Sequence, residues 1–186
     1  MSKLQAPVGG KQETIIEKYG KRIFDQEYTL PNGDKTDFLL FEASGFPVII
    51  FPLTEDDEVI VTNQFRYGAN EFVTELPGGN PKGNQSPEQV LKDELLSETG
   101  YVPEEIICLN EGNMLWFDPA SLRVPFGAYM ALGCERIYDP RPDETEILEV
   151  VSIPLNNWIK KIRDGEISDS KTIAVTMLAL FKLGRI

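Results

Sequence analysis

The chain has 186 residues and no histidine. That absence excludes Ser-His-Asp and Cys-His machinery and any imidazole-ligated metal, because each needs a ring nitrogen. Basic residues are scarce. Eighteen Lys and Arg stand against 30 Asp and Glu, for a formal net charge of −12. This balance argues against nonspecific nucleic-acid binding, which needs Lys and Arg to neutralise phosphates, and against an anionic membrane surface. An acidic protein that handles a phosphorylated substrate needs a metal ion or a local arginine. There are only two cysteines, Cys108 and Cys134, both in apolar surroundings, and they read as reduced core thiols. No apolar run reaches membrane-spanning length and no signal peptide is recognisable, so a cytoplasmic location is expected. The length suits one domain over 1–186 with a substantial core. Residues 1–12 are polar, rich in Gly and Gln, and expected to fray.

What the chain does have is concentrated between Glu75 and Tyr101. Glu75-Leu76-Pro77-Gly78-Gly79 leads through a polar loop into a well-punctuated helix. Ser86 is a good N-cap, Pro87 suits the first helical position, and Gln89 completes a capping-box pattern. Gly100 is the expected stop. At about 100° per residue with Val90 at zero, Leu91 falls near 100° and Leu95 near 140°. On the same wheel Glu94 falls near 40° and Glu98 near 80°. Both carboxylates therefore lie inside the apolar arc, one turn apart. Like charges at that spacing repel, and burying either unpaired is costly. A divalent cation resolves both problems, and magnesium commonly takes one or two carboxylates plus substrate phosphates. The bland alternative is an amphipathic helix whose edge carries two glutamates.

This stretch resembles the Nudix box. That pattern is a glycine, five residues, Glu, seven residues, Arg-Glu, an aliphatic, one residue, Glu-Glu, one residue, Gly and an aliphatic. Gly79, Glu94, Leu95, Glu98 and Gly100 match it. Gln85 stands for the first Glu, Asp93 for Arg, Ser97 for the first of the Glu pair, and Tyr101 for the terminal aliphatic. The resemblance implies that Glu94, Glu98 and the Gly78 carbonyl hold magnesium or manganese. Ser97 removes one acidic ligand, which is expected to weaken metal binding or lower the number of metals. Asp93 reverses a charge that normally pairs with the box glutamates.

Around the box the chain reads as strands and two closing helices. Residues 14–19, 22–30 and 35–41 have strand composition, with Pro31-Asn32-Gly33-Asp34 as a turn. In ADP-ribose pyrophosphatase relatives such N-terminal strands often form a dimer interface, so 14–45 is the expected site of homodimer contact. Residues 46–53 read as a buried strand and 58–65 as its partner. Gln64-Phe65-Arg66, followed after a short loop by Glu75-Leu76-Pro77, is similar to the ADP-ribose and nucleoside-diphosphate-sugar branch. There the arginine contacts substrate and the glutamate lies beside phosphates or metals, which assigns Arg66 and Glu75 to substrate binding. Tyr67, Trp116 and Phe117 could stack on a base or fill the core. An acidic loop precedes Ile147, and the resemblance gives Glu146, with Glu144 beside it, the role of activating water. Residues 155–164 and 169–183 read as helices, the second capped by Asp169 or Ser170.

The expected fold is α/β (α+β), a mixed, curled sheet held between helices in the Nudix manner. The expected function is metal-dependent hydrolysis of the pyrophosphate of a nucleoside diphosphate sugar such as ADP-ribose. Glu98, Glu146 and Glu144 would be catalytic, and the partner a small molecule rather than nucleic acid or membrane. The competing reading is a weakened or inactive nucleotide-binding or regulatory protein of the same fold, supported by Gln85, Asp93 and Ser97. A third keeps hydrolysis but takes a nucleotide-capped or dinucleoside substrate.

Overall fold

A computed structural model describes residues 4–141 and 146–186. In chain order the strands are β1 (Val8–Lys18), β2 (Lys21–Thr29), β3 (Lys35–Ala43), β4 (Val48–Pro52), β5 (Glu58–Arg66), β6 (Glu71–Glu75) and β7 (Gly78–Gly79). Helix α1 (Pro87–Glu94) and a wider π-type turn (Leu95–Thr99) follow. Then come β8 (Tyr101–Val102), β9 (Glu105–Cys108), β10 (Leu115–Trp116), β11 (Leu122–Arg123), β12 (Pro125–Leu132), β13 (Glu135–Arg136) and β14 (Leu148–Pro154). Helices α2 (Leu155–Arg163) and α3 (Ser170–Lys182) close the chain. Contacts divide it into two compact units, Met1–Gly45 with Trp116–Pro125, and Phe46–Leu115 with Phe126–Ile186.

The first unit is a four-stranded sheet in the order β1-β2-β3-β11, antiparallel except for the last pair. The Pro31–Asp34 turn forms as its residues dictate. Asn32 Oδ1 accepts the Asp34 N–H at 3.1 Å, and Gly33 takes φ 90°. The fraying expected over 1–12 is corrected from Val8 onward, where the chain enters β1. The cause is a long-range partner. Gln26 is buried, accepts from the Gln12 amide at 2.6 Å, and donates to the Gly10 carbonyl at 3.1 Å. Polarity there marks a paired strand, not a loose end. Phe24 is the sheet's buried anchor, flanked by the Arg22 and Arg123 guanidinium groups at 4.2 and 5.0 Å from its ring.

The second unit is built around β4, all five of whose residues are buried. A continuous apolar strand of this kind fits a sheet covered on both faces. β4 pairs in parallel with β12 and antiparallel with β7, and β9 pairs with β12. A second sheet runs β14-β5-β6, all antiparallel. Helices α1 and α3 both pack on β4, and α2 packs on β14 and β5. Val48 and Ile50 of β4 meet Val90, Leu91 and Leu95 of the box helix, with Ala131 and Cys134. The two cysteines are unpaired, as expected, with Cys134 buried and Cys108 half-buried.

The box helix starts at the Ser86 cap its sequence predicts, but the Gln89 side chain donates to Asp93 and does not complete a capping box. Ser86 Oγ accepts the Gln89 N–H at 3.2 Å, with Pro87 in the first turn. It does not continue as one uniform helix. From Leu95 to Thr99 the winding loosens into the π-type turn, and Gly100 ends it with φ 79°. π-turns inserted in α-helices recur at functional sites. Gly100 fits here because a Cβ would run into the Tyr138 carbonyl oxygen. Its own carbonyl accepts N–H groups of Ile137 and Tyr138 at 2.9 and 3.2 Å. Gly100→Ala is therefore expected to cost more than about 2 kcal/mol, from the left-handed backbone and the overlap together. Urea unfolding of the two proteins checks this.

Candidate active site

Two neighbouring strand ends supply the first pair. Arg66 closes β5 and Glu75 closes β6. Arg66 Nε donates to Glu75 Oε1. Glu75 is only 3% exposed, whereas the arginine side chain is about half exposed at 49%. Lys171, in the first turn of α3, brings Nζ to 3.9 Å from Glu75 Oε2 and also pairs with Asp169 Oδ1. The α3 N-terminus is fixed beside them. Asp169 Oδ2 caps it through the Thr172 N–H at 3.0 Å, and buried Thr172 Oγ1 accepts the Leu76 N–H at 2.9 Å. Burial holds the Glu75 carboxyl above the usual range, against smaller opposing pulls from Arg66 and then Lys171. The result is a buried acid with two cations.

The box helix supplies the second pair. Glu94, in the last turn of α1, is half-buried and lies against Gly79. A Cβ on Gly79 would come within 2.5 Å of the Glu94 Cγ and Oε1 atoms. The glycine thus leaves room for the carboxylate. Gly78 is registered opposite Ile49 of β4, at the same loop. Glu98, in the π-type turn, is 6% exposed. Its carboxyl is pushed up to about 8, first by burial, then by Glu94 and Glu146, against a smaller opposing pull from Arg66. Glu75 adds a further upward push. One buried carboxyl therefore senses all the others.

Glu146 is half-buried and immediately precedes Ile147, whose carbonyl accepts the Phe65 N–H at 3.0 Å. The end of the acidic loop is thus tied to β5 beside Arg66. The structure brings Arg66, Glu75, Glu94 and Glu146 within electrostatic reach of Glu98. Glu144 lies outside the described residues. Asp93 does not join the cluster. It is exposed, and its carboxylate accepts from Gln85 and Gln89. Tyr67 and Trp116 are both exposed, so neither is a core aromatic. Lys171 went unrecognised as a site residue. The signal was available in principle, since a glutamate followed by Leu-Pro-Gly-Gly is headed for burial and needs cationic partners.

Among the described residues no group of three or more Cys, Asp or Glu side chains forms a metal cage by itself. The donor set nonetheless fits a hard divalent cation. Every donor is oxygen, the acids outnumber nearby cations, and Glu98 is driven toward its neutral form unless positive charge arrives. Raising the Glu98 carboxyl above its unfolded value of about 4.5 means the folded chain binds that proton more tightly. Its contribution to stability is complete below that value and is lost as pH rises through about 8. Chelator-treated protein should therefore become less stable from pH 5 to pH 8, by about 1–4 kcal/mol. Glu98→Gln should flatten the slope, as urea unfolding across that range would reveal.

No family model matches the chain. Along 151 residues it is 24% identical to the ADP-ribose pyrophosphatase of Bacillus subtilis (strain 168), covering 81% of this chain and 80% of that one. It is 31% identical to the GDP-mannose pyrophosphatase of Yersinia enterocolitica over 134 residues, 65% of each chain. It is 25% identical to the methanol dehydrogenase activator of Bacillus methanolicus over 177 residues, 91% of each. A crystal structure of an ADP compounds hydrolase superposes with a TM-score of 0.84 at 18% identity, covering both chains completely. The chain thus shares the fold of that hydrolase and is similar in sequence to an ADP-ribose pyrophosphatase and a GDP-mannose pyrophosphatase.

Proposed function

We propose that the protein hydrolyses the pyrophosphate bond of a nucleoside diphosphate sugar, ADP-ribose being the type substrate, with magnesium or manganese. The observation that carries this reading is the convergence on buried Glu98 of Glu94, Glu146, Glu75 and Arg66, beside the double glycine. Glu94 and Glu98 would hold the metal, with the Gly78 carbonyl. Such an ion neutralises phosphate charge and lowers the pKa of water. Arg66 keeps Nε on Glu75, and its outer nitrogens are available to orient a pyrophosphate by charge-assisted hydrogen bonds. Glu75, clamped by Lys171, fixes that guanidinium in one direction. Glu146, with Glu144 as its neighbour, would accept the proton of the attacking water.

A homodimer through the N-terminal strands and a cytoplasmic setting belong to the same proposal. Ile15, Ile16, Phe38 and Leu39 are exposed on those strands and support the dimer. No helix among the described residues is long and apolar enough to cross a membrane. The test is incubation with ADP-ribose, ADP-glucose and GDP-mannose plus Mg2+ or Mn2+, scoring nucleoside monophosphate. Release from at least one is expected, and none from a broad panel would reject hydrolysis. Likeness to the methanol dehydrogenase activator, over 91% of both chains, supports a second reading as a regulatory nucleotide-binding protein. Calorimetric binding of a nucleotide sugar without turnover would favour that one.

A further inference from the structure

Gln85 and Asp93, two departures from the box, meet in space. The Gln85 amide nitrogen donates to Asp93 Oδ2 at 3.1 Å, and the Gln89 amide to Asp93 Oδ1 at 2.7 Å. At its other end Gln85 Oε1 accepts the Lys82 N–H at 3.0 Å. The side chain uses both its polar ends, and its partners fix which way the amide faces. The loop after Gly79 is thus tied to α1 at the residue just before Glu94. Glu94 in turn lies against Gly79, where that loop begins.

We propose that Gln85 and Asp93 are a compensated exchange and act as a positioning clasp that seats the Gly79 loop against Glu94. The box has an acidic acceptor on the loop and a basic donor on the helix. This chain has an amide donor on the loop and an acidic acceptor on the helix. The two positions that hold Glu and Arg in the box are joined here by an amide donor and an acidic acceptor. The inference rests on the reading of Glu94 as a metal ligand, but the clasp belongs to the metal-free chain and is tested there too.

Restoring the box residue at one end alone should do harm. Gln85→Glu puts a second carboxylate against Asp93. Asp93→Arg faces a cation with the amide donors of Gln85 and Gln89. Making both changes rebuilds an acid–base pair in the box's own sense. Amide hydrogen exchange at Lys82 in chelator-treated protein, and the Mn2+ dissociation constant, are read for wild type, both singles and the double. Each single change should speed exchange and weaken Mn2+ binding about fivefold, with the double within about twofold of wild type. Global unfolding should stay level across the four proteins, because Asp93 is exposed and Gln85 only half-buried. Losses that multiply in the double variant overturn the exchange. Exchange that recovers while Mn2+ affinity never moved overturns the positioning role. Wild-type protein that binds no Mn2+ rejects the metal reading and the positioning role together, and the exchange rates then decide compensation alone.

Discussion

Glu98→Gln is expected to yield a folded protein whose hydrolysis of nucleotide sugars falls by on the order of 10²–10³-fold or more, the scale of losing one essential electrostatic group. Glutamine has the shape of the protonated acid and cannot supply a negative ligand. Glu98 is 6% exposed and flanked by Glu94 and Glu146, so its ionised form is disfavoured below about pH 8 unless a cation stands beside it. The same substitution should stabilise the chelator-treated protein at pH 8, since it removes a buried charge. Lower activity with higher metal-free stability is a pairing that simple misfolding would not produce. An unchanged rate would put the metal elsewhere.

Gly79→Ala carries the second large effect. Gly79 does not occupy the left-handed region, so alanine is not strained there. The problem is space alone, because the added methyl would sit 2.5 Å from Glu94 Cγ and 2.6 Å from Cδ. Glu94 must swing away. Mn2+ affinity and turnover are both expected to fall about tenfold or more, as when the support of a metal ligand is lost. Stability should change little, because a half-exposed glutamate can find another rotamer. Calorimetry with Mn2+ and urea unfolding of the same variant check the two halves. Unaltered Mn2+ affinity would mean that Glu94 is not a ligand in the position it occupies.

What could be read from the sequence was local. The caps at Ser86 and Asp169, the stop at Gly100 and the turn at Pro31–Asp34 depend on residues within a few positions, and all formed. The continuous apolar run of β4 marked a strand covered on both faces. What escaped depended on distance or on a change of winding. A uniform wheel could not anticipate the π-type turn, since it assumes one rotation per residue throughout. The pairing of β1 rests on Gln26, a buried polar residue that looks like any surface glutamine. Lys171 meets Glu75 only after the chain has returned as α3. Asp93 was read by its charge alone, whereas its direction is set by Gln85 and Gln89.

The most direct test is a titration of Mn2+ by electron paramagnetic resonance into wild type, Glu94→Gln and Glu98→Gln. The account predicts a site in the wild type that is lost or weakened at least tenfold in each variant, in line with removal of a carboxylate ligand. Equal affinity in all three proteins, or no binding by the wild type, would contradict it.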